Sequence, residues 1–131
     1  MLFEKLPTID KLKKLFASKK EIHTVLIFGS YAKNKERPDS DLDIGILTKD
    51  FKSIPWDYAL KLSKQIDTIV NGPESEVILL NTASPHIAFR AIQEGKIIYQ
   101  IHPKTLWNLF VVKTISMNED LEILYRKVSH G

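Results

Sequence analysis

The chain contains no cysteine, which excludes a disulfide scaffold, a thiol nucleophile and any Cys-ligated zinc or iron–sulfur site. No apolar run approaches the roughly 18 residues that a membrane-spanning helix needs. The N-terminal stretch MLFEKLPTIDKLKK carries charges every few residues where a signal peptide would have an apolar core. Repeats, low-complexity tracts and linkers are missing too. The four histidines, His23, His86, His102 and His130, show no metal-binding spacing and no companion nucleophile, and are expected at the surface or at helix ends. These absences point to a small cytoplasmic domain with no membrane association.

What is present is 131 residues and 15.1 kDa, room for one ordinary domain spanning 1–131 and not two. A composition of 44% hydrophobic and 27% charged residues supplies a real core. The formal charge of +3 is unevenly placed: residues 1–65 hold 13 Lys/Arg against 9 Asp/Glu, and residues 66–131 hold 6 against 7. The basic half suits nucleic acid or a phosphorylated ligand, and a Lys-rich solvated surface is the other reading. Whether RNA is touched stays open.

Periodicity organises the chain. Thr8 can cap a helix that carries Ile9, Leu12, Leu15 and Phe16 at helical spacing. Thr24 to Phe28 reads as a buried strand and Asp41 to Leu47 as a second, separated by a polar stretch that starts helically and breaks near Pro38. Pro55 to Ile69 has an amphipathic stripe of Ala59, Leu62, Ile66 and Ile69, and Asn71-Gly72-Pro73 is a turn. Glu76 to Leu80 is a third strand. Ser84-Pro85 opens a helix ending at Gly95, which suits a left-handed C′ position. Lys96 to Gln100 is a short edge strand. From Pro103 a helical pattern runs through Leu106, Leu109, Phe110, Lys113, Met117, Leu121, Leu124 and Tyr125, with a possible break at Ser116–Asn118. Trp56 and Trp107 are expected in the core. The fold class is α/β or α+β, a small mixed sheet flanked by helices.

The chemistry concentrates in Phe28-Gly29-Ser30, ten further residues, then Asp41-Leu42-Asp43. Gly29 after a buried strand lets the backbone approach a ligand with no Cβ in the way. Ser30 adds a hydroxyl and opens a helical turn whose free N–H groups favour an anion, so the pair is a seat for phosphates. Asp41 and Asp43 are two apart on a strand and project from one face, while Leu42, Ile44 and Ile46 project from the other into the core. Two adjacent carboxylates repel unless a cation sits between them, and Mg²⁺ prefers carboxylate and phosphate oxygens. Gly45, next on the same face, leaves space for a nucleotide or a packed helix. Glu76, opening the third strand, is the candidate third carboxylate of a two-metal site that clamps an in-line phosphoryl displacement.

LIFGSYAKNKERPDSDLDIGIL resembles the signature of the nucleotidyltransferase superfamily that includes DNA polymerase β. Its spacing resembles in particular the minimal nucleotidyltransferases, among them the MntA-like antitoxins. The resemblance continues through Glu76 to Asn81 and through Ala91 to Tyr99, covering about residues 20 to 100. It implies that Gly29 and Ser30 hold the triphosphate of ATP, with Lys33 keeping a positive charge where many relatives have arginine. It further implies that Asp41, Asp43 and Glu76 bind Mg²⁺, two ions in all, and that AMP is transferred with release of pyrophosphate. In MntA-like antitoxins the acceptor is a tyrosine of a partner HEPN-domain ribonuclease toxin. Lys33, Lys35 or Arg37 can neutralise charge growing on pyrophosphate.

The chain departs from the family where Glu replaces the usual third Asp, where Lys33 loses the bidentate fork of arginine, and where Asn34 stands for glycine. Transfer to a small molecule or an RNA 3′ end, and a non-catalytic antitoxin that occludes its toxin, are the alternatives. A cluster of three carboxylates weighs against an idle site, because it costs self-repulsion. With ligands already spread over residues 29 to 76, little chain is left for a separate acceptor-binding domain. The acceptor is therefore expected to be delivered by a partner.

Overall fold

The computed structural model describes residues 7–33, 35, 37, 41–70, 72 and 74–130. Four strands, β1 (Ile22–Phe28), β2 (Leu42–Thr48), β3 (Ser75–Leu79) and β4 (Lys96–Gln100), form one sheet in the spatial order β3-β2-β1-β4. β1 runs antiparallel to both β2 and β4, whereas β2 and β3 are parallel. The helices are α1 (Pro7–Ala17), α2 (Tyr58–Ile69), α3 (Pro85–Glu94) and α4 (Thr105–His130). This is the mixed, helix-flanked sheet that the alternation of patterns predicts. Among the described residues no helix is long and apolar enough to cross a membrane.

The sheet is covered on both faces. All seven residues of β1 are buried, as expected for a continuous apolar run in a central strand. On one face Leu12 and Phe16 of α1 and Leu62 and Ile66 of α2 close over Val25, Ile27, Leu42, Ile44 and Ile46. On the other, Leu26, Phe28 and Leu47 pack with Leu80 and with Ala91 of α3, flanked by Leu106, Trp107 and Phe110 of α4. The strict alternation of β2 therefore separates an apolar side from the side bearing Asp43.

Several local expectations change. Residues Gly29–Lys33 form a hydrogen-bonded turn and not the start of a helix. Thr8 lies inside α1 and so does not cap it. α2 starts at Tyr58, three residues late, after a turn closed by the Tyr58 N–H on the Pro55 carbonyl at 3.1 Å. Ser84 does cap α3, accepting from the Ile87 N–H at 3.3 Å, with Pro85 in the first helical position. Gly95, however, has φ −74°, so no left-handed conformation requires it. A Cβ there would collide with the Ala91 carbonyl and stand 2.9 Å from Leu26 Cδ1, which makes its role one of close packing.

α4 is continuous across Ser116–Asn118. Asn118 donates to its own helix at Thr114 O, 2.9 Å, and across to Pro85 O, 3.3 Å, which ties α4 to the start of α3. His23 is buried in β1, bonded to Thr24 Oγ1 at 2.7 Å and to the Pro103 carbonyl at 3.0 Å, and is no surface residue. Trp56 is 95% exposed and contributes nothing to the core. Asn34, the break near Pro38, and Asn71 and Pro73 of the expected turn lie outside the described residues, as do the side chains of Leu121, Leu124, Tyr125 and His130.

Candidate active site

One rung of the sheet organises the site. Phe28 of β1 is the register partner of Asp43 of β2, and Asp43 is the partner of Glu76 of β3. Register partners on adjacent strands share a face, so the three side chains stand in a row on the α3/α4 side. Phe28 belongs to the core there, Asp43 is half-buried and Glu76 is exposed. The row therefore grades from apolar interior to solvent. The Leu42 N–H donates to the Glu74 carbonyl at 2.8 Å, which locks the starts of β2 and β3 together and keeps the two acids side by side.

The electrostatic consequence falls on Asp43. Burial, the negative charge of Glu76 and a hydrogen bond between the two carboxyls push it up to about 6. Arg90 opposes this and the charge of Asp41 adds to it. Asp41 itself is exposed, one residue ahead of β2. Among the described residues no three acidic or histidine side chains already form a closed metal-binding group. The donor set nevertheless fits Mg²⁺, which commonly takes one or two carboxylates and completes its shell with water and substrate phosphate. The half-buried Asp43 and the exposed Glu76 stand side by side, and a cation between them would relieve their repulsion.

Gly29 is required twice. Its φ of +77° lies in the left-handed region, and a Cβ at this position would overlap Asp43 Oδ2. The turn after β1 thus lays bare backbone against the Asp43 carboxyl. Ser30 follows, partly exposed, its carbonyl accepting from the Lys35 N–H at 2.8 Å. Gly45 leaves no room for a ligand: a Cβ there would stand 3.1 Å from both Leu26 Cδ1 and Leu80 Cδ2, so the space belongs to the core. Tyr31 turns to the opposite face and packs on the core under α1 and α2.

α3 supplies what the motif alone did not reveal. Lys33 Nζ lies 2.8 Å from Glu94, and Arg90 Nε lies 3.5 Å from the same carboxylate. The Arg90 guanidinium also sits over the Phe28 ring at 5.7 Å, beside the acidic row. Two cations from distant parts of the chain thus meet on Glu94 at the rim of the site. The hydrogen bond and charge of Lys33 hold the Glu94 carboxyl below its ordinary value. In the sequence, Arg90 and Glu94 read only as a helical i,i+4 pair.

Comparison with known proteins gives the family and the fold. The family described as polymerase beta, nucleotidyltransferase matches residues 10–104. A protein named protein adenylyltransferase MntA, from Shewanella oneidensis, is 29% identical over 104 residues, covering 78% of this chain and 70% of that protein. Among solved structures, a toxin–antitoxin with AMP-PNP superposes with a TM-score of 0.75 at 23% identity, covering 93% of this chain and 95% of that one. A tri-AMPylated Shewanella oneidensis HEPN toxin in complex with MNT antitoxin gives a TM-score of 0.69 at 22% identity, over 94% and 93%. At these identities the two structures establish the likeness of fold.

Proposed function

The chain belongs to the polymerase beta nucleotidyltransferase family, and from that membership we propose that it is a protein adenylyltransferase, moving AMP from ATP onto a tyrosine of a partner HEPN ribonuclease toxin and so acting as its antitoxin. The observation that carries this reading is the Phe28–Asp43–Glu76 row with the Gly29 backbone pressed against Asp43. Further support comes from the name of the MntA relative and from the solved complex of an AMPylated HEPN toxin with an MNT antitoxin. The whole of residues 1–131 acts as one nucleotidyltransferase domain in this reading, and the toxin brings the acceptor to it.

The reaction is an in-line displacement. The acceptor hydroxyl oxygen forms a bond to the α-phosphorus, the bond from that phosphorus to the α–β bridging oxygen breaks, and pyrophosphate leaves with the electron pair. Bare backbone at Gly29 and the hydroxyl of Ser30 admit the triphosphate. Lys33 and Arg90 stand where their charges offset the negative charge that grows on the leaving group. Asp41, Asp43 and Glu76 hold Mg²⁺, which when bound supplies charge neutralisation and lowers the pKa of the acceptor hydroxyl. Glu76, exposed at the outer end of the row, takes the acceptor proton. The longer reach of Glu relative to Asp fits a position at the solvent edge.

The test is incubation with the HEPN toxin, Mg²⁺ and ATP labelled at the α-phosphate. Label is expected on the toxin. Asp43→Asn is expected to cut transfer at least about a hundredfold, because several kcal/mol of charge stabilisation depend on that group. Full neutralisation of the toxin by Asp43→Asn without label transfer would replace the reading with simple occlusion. Label on free RNA alone would replace it with RNA-end modification.

A further inference from the structure

β1 ends, and β2, β3 and β4 begin, at the end of the sheet that carries the acidic row. The opposite end is built by four connections, residues 18–21, 49–57, 80–84 and 101–104, of which 80–84 carries no charge. These hold Lys19, Lys20, Lys49, Lys52 and Lys104 against Glu21, Asp50 and Asp57. Two of the three acids are already engaged: Glu21 accepts from the Tyr58 hydroxyl, and Asp57 pairs with Lys61 at 3.2 Å. The end of the sheet opposite the acidic row thus carries a local excess of lysine.

A groove of about 410 Å³ opens at this basic end, lined by Lys19, Pro55, Asp57, Tyr58, Lys61 and Lys64 among others. Among the described residues Lys19 and Lys64 have no acidic partner within ion-pair distance. Trp56, between two of the lining residues, is 95% exposed. A tryptophan normally hides most of its surface. The cores of protein–protein interfaces are enriched in Trp but depleted in Lys, so a Trp rimmed by lysines does not have the composition of a protein-docking core. It does have that of a surface for unpaired bases, in which aromatic rings stack the bases and a basic groove follows the phosphates.

We propose that this end of the sheet, remote from the acidic row, binds single-stranded nucleic acid, with Trp56 stacking a base and Lys19 and Lys64 neutralising phosphates along the groove. The site is independent of the transferase reading, since it shares no residue with the acidic row.

The experiment is fluorescence anisotropy of a labelled single-stranded oligo(U) titrated with the protein, with the matching duplex as competitor. Single-strand binding should weaken roughly sevenfold from about 50 to about 200 mM salt, as two neutralised phosphates dictate. Trp56→Ala should weaken it by between about fivefold and a hundredfold, and Trp56→Phe should restore most of that loss. Lys19→Glu with Lys64→Glu should abolish binding at moderate salt, and saturating ATP should leave it unchanged. Because Trp56 is exposed and the two lysines have no acidic partner among the described residues, these variants should keep the parent's melting temperature. The proposal is overturned if the oligonucleotide does not bind, if the duplex binds as tightly, if Trp56→Ala has no effect, or if ATP displaces the strand.

Discussion

The face of the sheet beneath α1 and α2 and the face beneath α3 and α4 are built from the same strands for different ends. Beneath α1 and α2, Leu12, Phe16, Ile27, Leu42, Ile44, Ile46 and Ile66 are all fully enclosed. Beneath α3 and α4 the fully buried set shrinks to Leu26, Phe28, Leu47, Leu80 and Ala91, and the same face carries Asp43 and Glu76 at its end. β2 belongs to both. Its apolar residues anchor the backbone on one side, so that two mutually repelling carboxyls can stand on the other without choosing their own positions. The first face supplies stability, and the second tolerates the unfavourable electrostatics that pushes Asp43 up to about 6.

That division is broken most severely by emptying the first face. Phe16→Ala removes a fully buried ring packed tilted against Tyr99 at 6.1 Å. The expected loss is about 3–5 kcal/mol of unfolding free energy by denaturant titration. AMP transfer per folded molecule should stay at the parent's level when assayed well below the midpoint. A fall in transfer equal to that of an active-site variant would show that the two faces are not separable in this way.

Gly29→Ala is the converse. The positive φ costs a non-glycine residue about 1–2 kcal/mol, a smaller stability effect than that of Phe16→Ala. Transfer should nevertheless drop by roughly a hundredfold, because the new Cβ must displace the Asp43 carboxyl, and misplacements of about 1 Å at a reacting centre cost that much. A variant that lost stability but kept its transfer rate would mean that Asp43 is not held by the turn.

The separation of faces was legible in the sequence because it follows from alternation. Leu42, Ile44 and Ile46 against Asp43 and Gly45 is a period-two pattern, and Glu76 stands at the start of the next predicted strand; that the two strands pair in parallel is known only from the structure. Local rules located the Ser84 cap as well. What alternation cannot convey is which distant element closes over the end of a strand. The meeting of Lys33, Glu94 and Arg90 depends on α3 crossing above Phe28, and no spacing within 33–94 encodes that. His23 misleads for a related reason: its burial depends on the Pro103 carbonyl, eighty residues away, satisfying its second ring nitrogen. Trp56 misleads in the opposite direction. Its size argues for the core, but it falls in the turn ahead of α2, before the helical stripe begins at Tyr58.

The smallest expected effect tests whether the second face is tied down at its rim. Glu94 holds Lys33 of the Gly29 turn at 2.8 Å and Arg90 of its own helix at 3.5 Å. Its carboxyl is lowered from the ordinary 4.5, chiefly by the hydrogen bond from Lys33. A group lowered in the folded state stabilises above its unfolded value, and that contribution is lost as pH falls through the folded value. Lys33 and Arg90 are both about half-exposed, so solvent screening limits the effect to less than about 1 kcal/mol. Glu94→Gln should therefore melt a few degrees below the parent at about pH 7, with the gap shrinking in high salt and closing as the pH falls through the lowered folded-state value of Glu94. A gap that persisted in acid would assign Glu94 a packing role and leave the turn fastened by Gly29 and Asp43 alone. A gap that closed on schedule would make α3 the clasp that sets the position of Lys33 before any nucleotide arrives.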